Sequence, residues 1–119
     1  MDRATLLKNW NPNEVAIDNG NLIGLPFDKN TAQLILIPIP WEVTTSYTRG
    51  TALAFQNIQQ ASLQLDLMDL AVKDAWKLGI YLEAAHPIWL EKNNTLAPKT
   101  QAYIEHLETV GNHDLPLHF

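Results

Sequence analysis

Gln33-Leu34-Ile35-Leu36-Ile37-Pro38-Ile39-Pro40, followed by Trp41-Glu42-Val43-Thr44-Thr45-Ser46-Tyr47-Thr48-Arg49-Gly50-Thr51, carries the strongest structural signal in the chain. Residues 34–37 are apolar without alternation. A strand with one wet face alternates, so this run predicts a strand covered on both faces, as in a parallel sheet between helices. Pro38 and Pro40 cannot donate to a sheet ladder and end the strand. Residues 41–51 read as a polar loop, with Gly50 where the chain must turn. Residues 52–65 read as a helix in which Ile58, Ala61, Leu65 and Met68 recur on one face. Strand, loop and helix in that order are the first half of a βαβ unit. On burial alone, Ile35→Ala or Ile37→Ala should cost roughly 2–5 kcal/mol.

Working outward, Lys77-Leu78-Gly79-Ile80-Tyr81-Leu82-Glu83 holds β-formers at Ile80 and Tyr81 and predicts a second strand. Residues 88–94 read as running into a turn, and Pro98 as the first residue of a second helix. Tyr103, Leu107 and Val110 share one face of that helix, and Gly111 sits where a left-handed stop belongs. Residues 1–32 form a polar arm punctuated by Asn11-Pro12-Asn13, Asp18-Asn19-Gly20-Asn21 and Gly24-Leu25-Pro26. Its spaced apolar residues, among them Trp10, Leu25 and Phe27, predict packing over a core. Asp18-Asn19-Gly20 is read equally as a hairpin closure or a loop turn.

Composition narrows the classes. The chain has 119 residues, one domain or less, with 13 acids against 8 scattered bases and a net charge of −5. That balance excludes the clustered cations of a nucleic-acid surface. There are no cysteines, which excludes disulfides, thiolate metal sites and a cysteine nucleophile. No apolar run approaches the roughly 20 residues of a membrane span, and residues 1–8 lack a signal-peptide core. A cytoplasmic protein with no membrane or nucleic-acid partner is the expectation.

Few residues have the look of a chemical site. Asp66 and Asp69 could pair on a metal or act as acid and base, but acids three apart near a helix end are usually solvated. His86 precedes Pro87, which enforces an extended conformation there, and reads as a loop histidine before a ligand. His113-Asp114 resembles the His-Asp pair of one class of metal phosphohydrolases. Such sites draw further ligands from other helices, and Pro116 blocks a helix that would align His113 with His118.

Taken together, Pro38-Ile39-Pro40-Trp41-Glu42-Val43-Thr44-Thr45-Ser46-Tyr47, Arg49-Gly50-Thr51 and Ala61-Ser62-Leu63-Gln64-Leu65-Asp66 resemble the N-terminal signature of the ureohydrolase superfamily of arginases, agmatinases and formimidoylglutamases. The likeness covers about residues 30–85. One departure is Ala54-Phe55, where family members usually carry Gly-Pro. The resemblance implies an α/β fold, the N-terminal portion of a doubly wound, mostly parallel, three-layer arginase-like sheet. It divides the chain into an arm, 1–32, and a partial ureohydrolase-like domain, 33–119. It also implies hydrolysis of a linear C–N bond in a guanidino or amidino substrate by two Mn²⁺ ions that activate a bridging water.

The family's metal words are a histidine after Gly-Gly-Asp, an Asp-Ala-His-x-Asp run and an Asp-x-Asp pair in its expected context. None occurs here, so the resemblance assigns no catalytic residue, no metal ligand and no cofactor to this chain. The expectation is an inactive N-terminal piece of a longer enzyme, whose substrate would matter only if the chain continued. The alternative is a complete small protein that keeps this opening as a binding or assembly module. Ligands of open α/β sheets sit outside the carboxyl ends of the strands. Glu42, Thr44, Thr45, Ser46, Tyr47 and Arg49, in the loop after the first strand, are therefore candidates for an active-site rim or a subunit contact. Thr44, Thr45 and Ser46 could equally satisfy only their own backbone. With the flanking strands missing, the first strand predicts a homo-oligomer that continues the sheet or exchanges the arm.

Overall fold

The computed structural model describes residues 1–110. The fold is mixed α/β: α1 (Arg3–Asn9), β1 (Leu34–Leu36), α2 (Ala54–Ser62), β2 (Ile80–Leu82) and α3 (Pro87–Val110), with short 3₁₀ turns between them. β1 and β2 form a parallel pair, with Leu34 opposite Ile80 and Leu36 opposite Leu82. Two compact units are present, one of Met1–Pro38 with Ala54–Ala85, the other of Ile39–Leu53 with the described part of His86–Phe119. No helix among the described residues is long and apolar enough to cross a membrane.

The N-terminal arm supplies the core of the first unit. Leu6, Leu25, Phe27 and Trp76 are buried together, with Trp10, Ile23 and Ile80 packed against them. α1 exists because Asp2 caps it: its carboxylate accepts the Thr5 N–H at 2.8 Å, and Leu6 then faces the core. Trp76 packs against Trp10 at 4.9 Å between ring centroids and against Phe27 at 6.5 Å. Arg3 lies over the Phe27 ring, 5.4 Å from its centroid, and donates to the carbonyls of Thr31 and Lys77. Gly79 has φ +71, and a Cβ there would sit 2.8 Å from both Arg3 and Phe27. That position accepts only glycine.

One side chain completes the sheet. Asn21 is buried, and its amide group takes the place of a third strand beside β2. Its Nδ2 donates to the Ile80 carbonyl at 2.8 Å, and its Oδ1 accepts the Leu82 N–H at 2.8 Å. The same amide donates to the carbonyls of Leu25 and Phe27 and accepts from Leu22 N–H. Next to it, Ile23 adopts φ +58, a costly conformation for a β-branched residue. Its N–H is held there by Ser62 Oγ at 2.8 Å, which ties α2 to this loop.

Several expectations are corrected. The strand at residues 34–37 is not covered on both faces: Leu34 is 40% exposed and Ile37 68%. Its only strand neighbour among the described residues is β2. A solid apolar run records what a strand could be buried in, not what packs on it. α2 ends at Ser62, so Leu65 and Met68 lie beyond it, and Ile58 is 59% exposed. Besides Ala54 and Phe55, the inward positions of α2 are the polar Gln59 and Ser62, which meet a loop that offers backbone groups. The helix expected to open at Pro98 opens at Pro87 and runs through Pro98. Pro98 forfeits one helical N–H. Around it, Thr95 and Thr100 donate their hydroxyls to the carbonyls of Glu91 and Leu96. Asp18-Asn19-Gly20 makes a loop turn and closes no hairpin. Val110 ends α3, and the expected stop at Gly111 and the His113-Asp114 pair lie outside the described residues.

Asn21→Ala leaves the Ile80 carbonyl and the Leu82 N–H without their partner, and unpaired buried groups cost about 1–3 kcal/mol each. The expected loss is roughly 2–5 kcal/mol in urea melts. Ile37→Ala, at an exposed position, should stay within about 0.5 kcal/mol.

Candidate functional site

The loop after β1 is organised by its acid. The Glu42 carboxylate accepts the Gly50 N–H at 2.7 Å and the Ala52 N–H at 3.1 Å. Those two bonds close residues 42–52 into a ring and hold the Glu42 carboxyl below its ordinary value of 4.5. Glu42 N–H in turn donates to Oδ1 of Asn93 in α3 at 2.7 Å. Asn93 is buried, as are Val43, Ala52 and Ala97 in the same unit. Trp41 meets Trp89 edge to face at 6.2 Å. His86 accepts the Ile88 N–H on Nδ1, as a capping residue does at a helix start, so it serves α3 as a structural group.

Of the residues expected at a rim, Glu42 is committed to the backbone. Thr45 N–H bonds the Glu42 carbonyl at 3.2 Å, so that turn is satisfied by main chain and by Glu42. Thr44, Ser46 and Arg49 are exposed, and Tyr47 is 97% exposed. The loop therefore holds its shape through Glu42 and presents Thr44, Ser46, Tyr47 and Arg49 outward. The proline-rich entry and the single glycine are visible in the sequence, but the role of Glu42 needs the ring closure to be seen.

A second feature lies wholly in the first unit. A cleft of about 760 Å³ opens past the carboxyl end of β2, lined among others by Phe55, Asn57, Gln59, Gln60, Tyr81 and Glu83. Glu83 is paired with Lys29 at 2.6 Å. Gln59 and Gln60 both donate to the Asp18 carboxylate, at 3.2 and 3.0 Å. These bonds, with one from the Gly20 N–H, keep the Asp18 carboxyl below its ordinary range. The sequence reading missed this cleft, because a lining drawn from four separate segments carries no spacing signal.

Asp66 and Asp69 do not converge on a ligand. Asp69 accepts the N–H groups of Ala71 and Val72 at 2.7 and 2.9 Å, while Asp66 is exposed. Among the described residues no group of three or more His, Cys, Asp or Glu side chains could hold a metal ion. Two of the candidate donors, His86 and Asp69, have their side chains engaged by backbone N–H groups.

No family model, curated protein or solved structure matches this chain.

The Glu42 ring predicts an acid response. Its folded pKa is lowered, so its contribution is complete above the ordinary value and is lost as pH falls through the folded value. Urea midpoints measured from about pH 6 to about pH 3 should fall, and Glu42→Gln, which keeps an acceptor but no charge, should fall less steeply. Tyr47→Ala should change stability by no more than about 0.5 kcal/mol.

Proposed function

We propose that this chain is scaffold from a ureohydrolase-type hydrolase of linear C–N bonds in guanidino or amidino compounds, and that it carries no hydrolytic chemistry of its own. The observation supporting this is the form taken by the Pro38 to Thr51 word. It follows a strand of a parallel pair, is drawn into a ring by its own acid, and leads into a helix at Ala54. A loop of this kind, after the carboxyl end of a parallel strand, is where α/β enzymes place substrate-facing residues. Thr44, Ser46, Tyr47 and Arg49 would serve as rim or subunit contact. The Mn²⁺ pair and the water it activates would be held by residues outside the described set.

Reading the coding sequence past the Phe119 codon tests the proposal. Continuation into Gly-Gly-Asp-His and Asp-Ala-His-x-Asp words supports it. A stop codon supports the second reading, a binding or assembly module. That reading is favoured by one observation: among the described residues β1 has a strand neighbour on one edge only, and Ile37, Ile58, Leu65 and Met68 are largely exposed. An unpaired edge beside apolar surface is a template for another chain.

Purified chain supplied with Mn²⁺ should release no urea from arginine or agmatine above a metal-only blank. On a sizing column with light scattering, it should elute as an oligomer heavier than the 13.4 kDa monomer. A monomer that unfolds cooperatively would remove self-association from both readings.

A further inference from the structure

We infer that Asn19-Gly20 is a self-modifying site, at which the folded loop promotes conversion of the Asn19 amide to aspartate and isoaspartate. The reaction of an Asn-Gly pair is general: the glycine nitrogen attacks the asparagine Cγ, and ammonia leaves. Here the nucleophile and the electrophile of that reaction each have a partner. The nucleophile is the Gly20 nitrogen, whose N–H donates to Asp18 Oδ1 at 3.2 Å. Asp18 is in turn held by Gln59 and Gln60, so a fixed carboxylate stands beside the proton that must leave. The electrophile is the Asn19 side-chain carbonyl, whose Oδ1 accepts the Asn21 N–H at 3.0 Å. A donor at that oxygen stabilises the negative charge that grows on it during attack. Nδ2, the leaving group, donates to the carbonyls of Gly24 and Leu25 at 3.3 and 3.1 Å; these bonds hold the side chain in place and break as ammonia departs.

Space is available as well. Gly20 has φ +81, nothing lies within 4 Å of where a Cβ would be, and both residues are exposed. The steps balance without a cofactor. The Gly20 N–Cγ bond forms as its proton passes to Asp18. The Cγ–Nδ2 bond then breaks, Nδ2 takes that proton, and ammonia departs to leave a succinimide. Water adds to either imide carbonyl and opens the ring to aspartate or isoaspartate. Asp18 ends as it began.

The product bears on the fold. A carboxylate at position 19 cannot donate to the Gly24 and Leu25 carbonyls, and it lies next to the Asp18 charge. An isoaspartate also lengthens the main chain two residues before Asn21, the residue that completes the sheet.

The test incubates the intact chain at neutral pH, folded and in urea, and follows residue 19 by peptide mass and by isoaspartate-specific methylation. Faster conversion in the folded chain than in urea is the expected result. Asp18→Asn should slow the folded chain by about tenfold or more and leave the rate in urea unchanged. Asn19→Gln should abolish the product. Aged chain should unfold at lower urea than fresh chain. A folded rate below the unfolded rate overturns the inference, as does a folded Asp18→Asn chain that converts at the original rate. If Asp18→Asn does not fold, the comparison on the unchanged chain decides alone.

Discussion

The first unit depends on one buried amide. A two-stranded parallel pair is too small to satisfy its own edges, and β2 lies against the core, where an unpaired carbonyl or N–H is costly. Asn21 supplies both missing partners from one side chain, with the acceptor and donor spaced as a neighbouring strand would space them. Because the same amide also binds Leu25 and Phe27, the loop that carries it is pulled over the core. The strained Ile23 and the hydroxyl of Ser62 follow from that placement, since the loop must reverse at that point and α2 is what it meets.

Glu42 plays a related part in the second unit. A long polar loop has more N–H groups than its own carbonyls can reach, and a carboxylate accepts several at once. Two bonds across 8 and 10 residues turn the loop into a closed ring. The ring leaves Thr44, Ser46, Tyr47 and Arg49 turned toward solvent. Both units are thus shaped by a polar side chain standing in for backbone. Among the described residues no buried side-chain nitrogen or oxygen lacks a partner.

The proposed chemistry at Asn19 grows out of the same network. The bonds that seat Asn21 also run through Asn19 and Asp18, so the groups that hold the loop are the groups that would act on it. Polar networks in a tight turn carry that hazard when a glycine follows the amide. The turn needs the φ that glycine allows, and glycine removes the side chain that would shield the attacking nitrogen.

Several features were legible in the residues alone: the apolar run at 34–36, the β-formers Ile80 and Tyr81, the proline stops, the parallel βαβ order and the polar loop between strand and helix. Those are local, set by propensity and by the period of the side chains. α1 could have been found from Asp2, a capping residue three positions before the Thr5 N–H it accepts. The extent of burial could not. Residues 34–37 have the composition of a doubly covered strand, and the structure leaves Ile37 largely in solvent. Pro98 reads as a helix start, yet Pro87 already opens α3, which passes through Pro98. The roles of Asn21, Glu42 and Asp18 were beyond sequence reading for one reason. Each acts on groups beyond its immediate neighbours (Glu42 across 8 and 10 residues, Asn21 across 59 and 61 to β2), and no local pattern records which backbone group a polar side chain will reach. Propensity and side-chain period, both readable along the chain, mark which segments can be strand, loop and helix. Which faces are covered and which polar atoms are joined emerges in the folded chain, because burial and pairing are properties of two surfaces and a sequence describes one at a time.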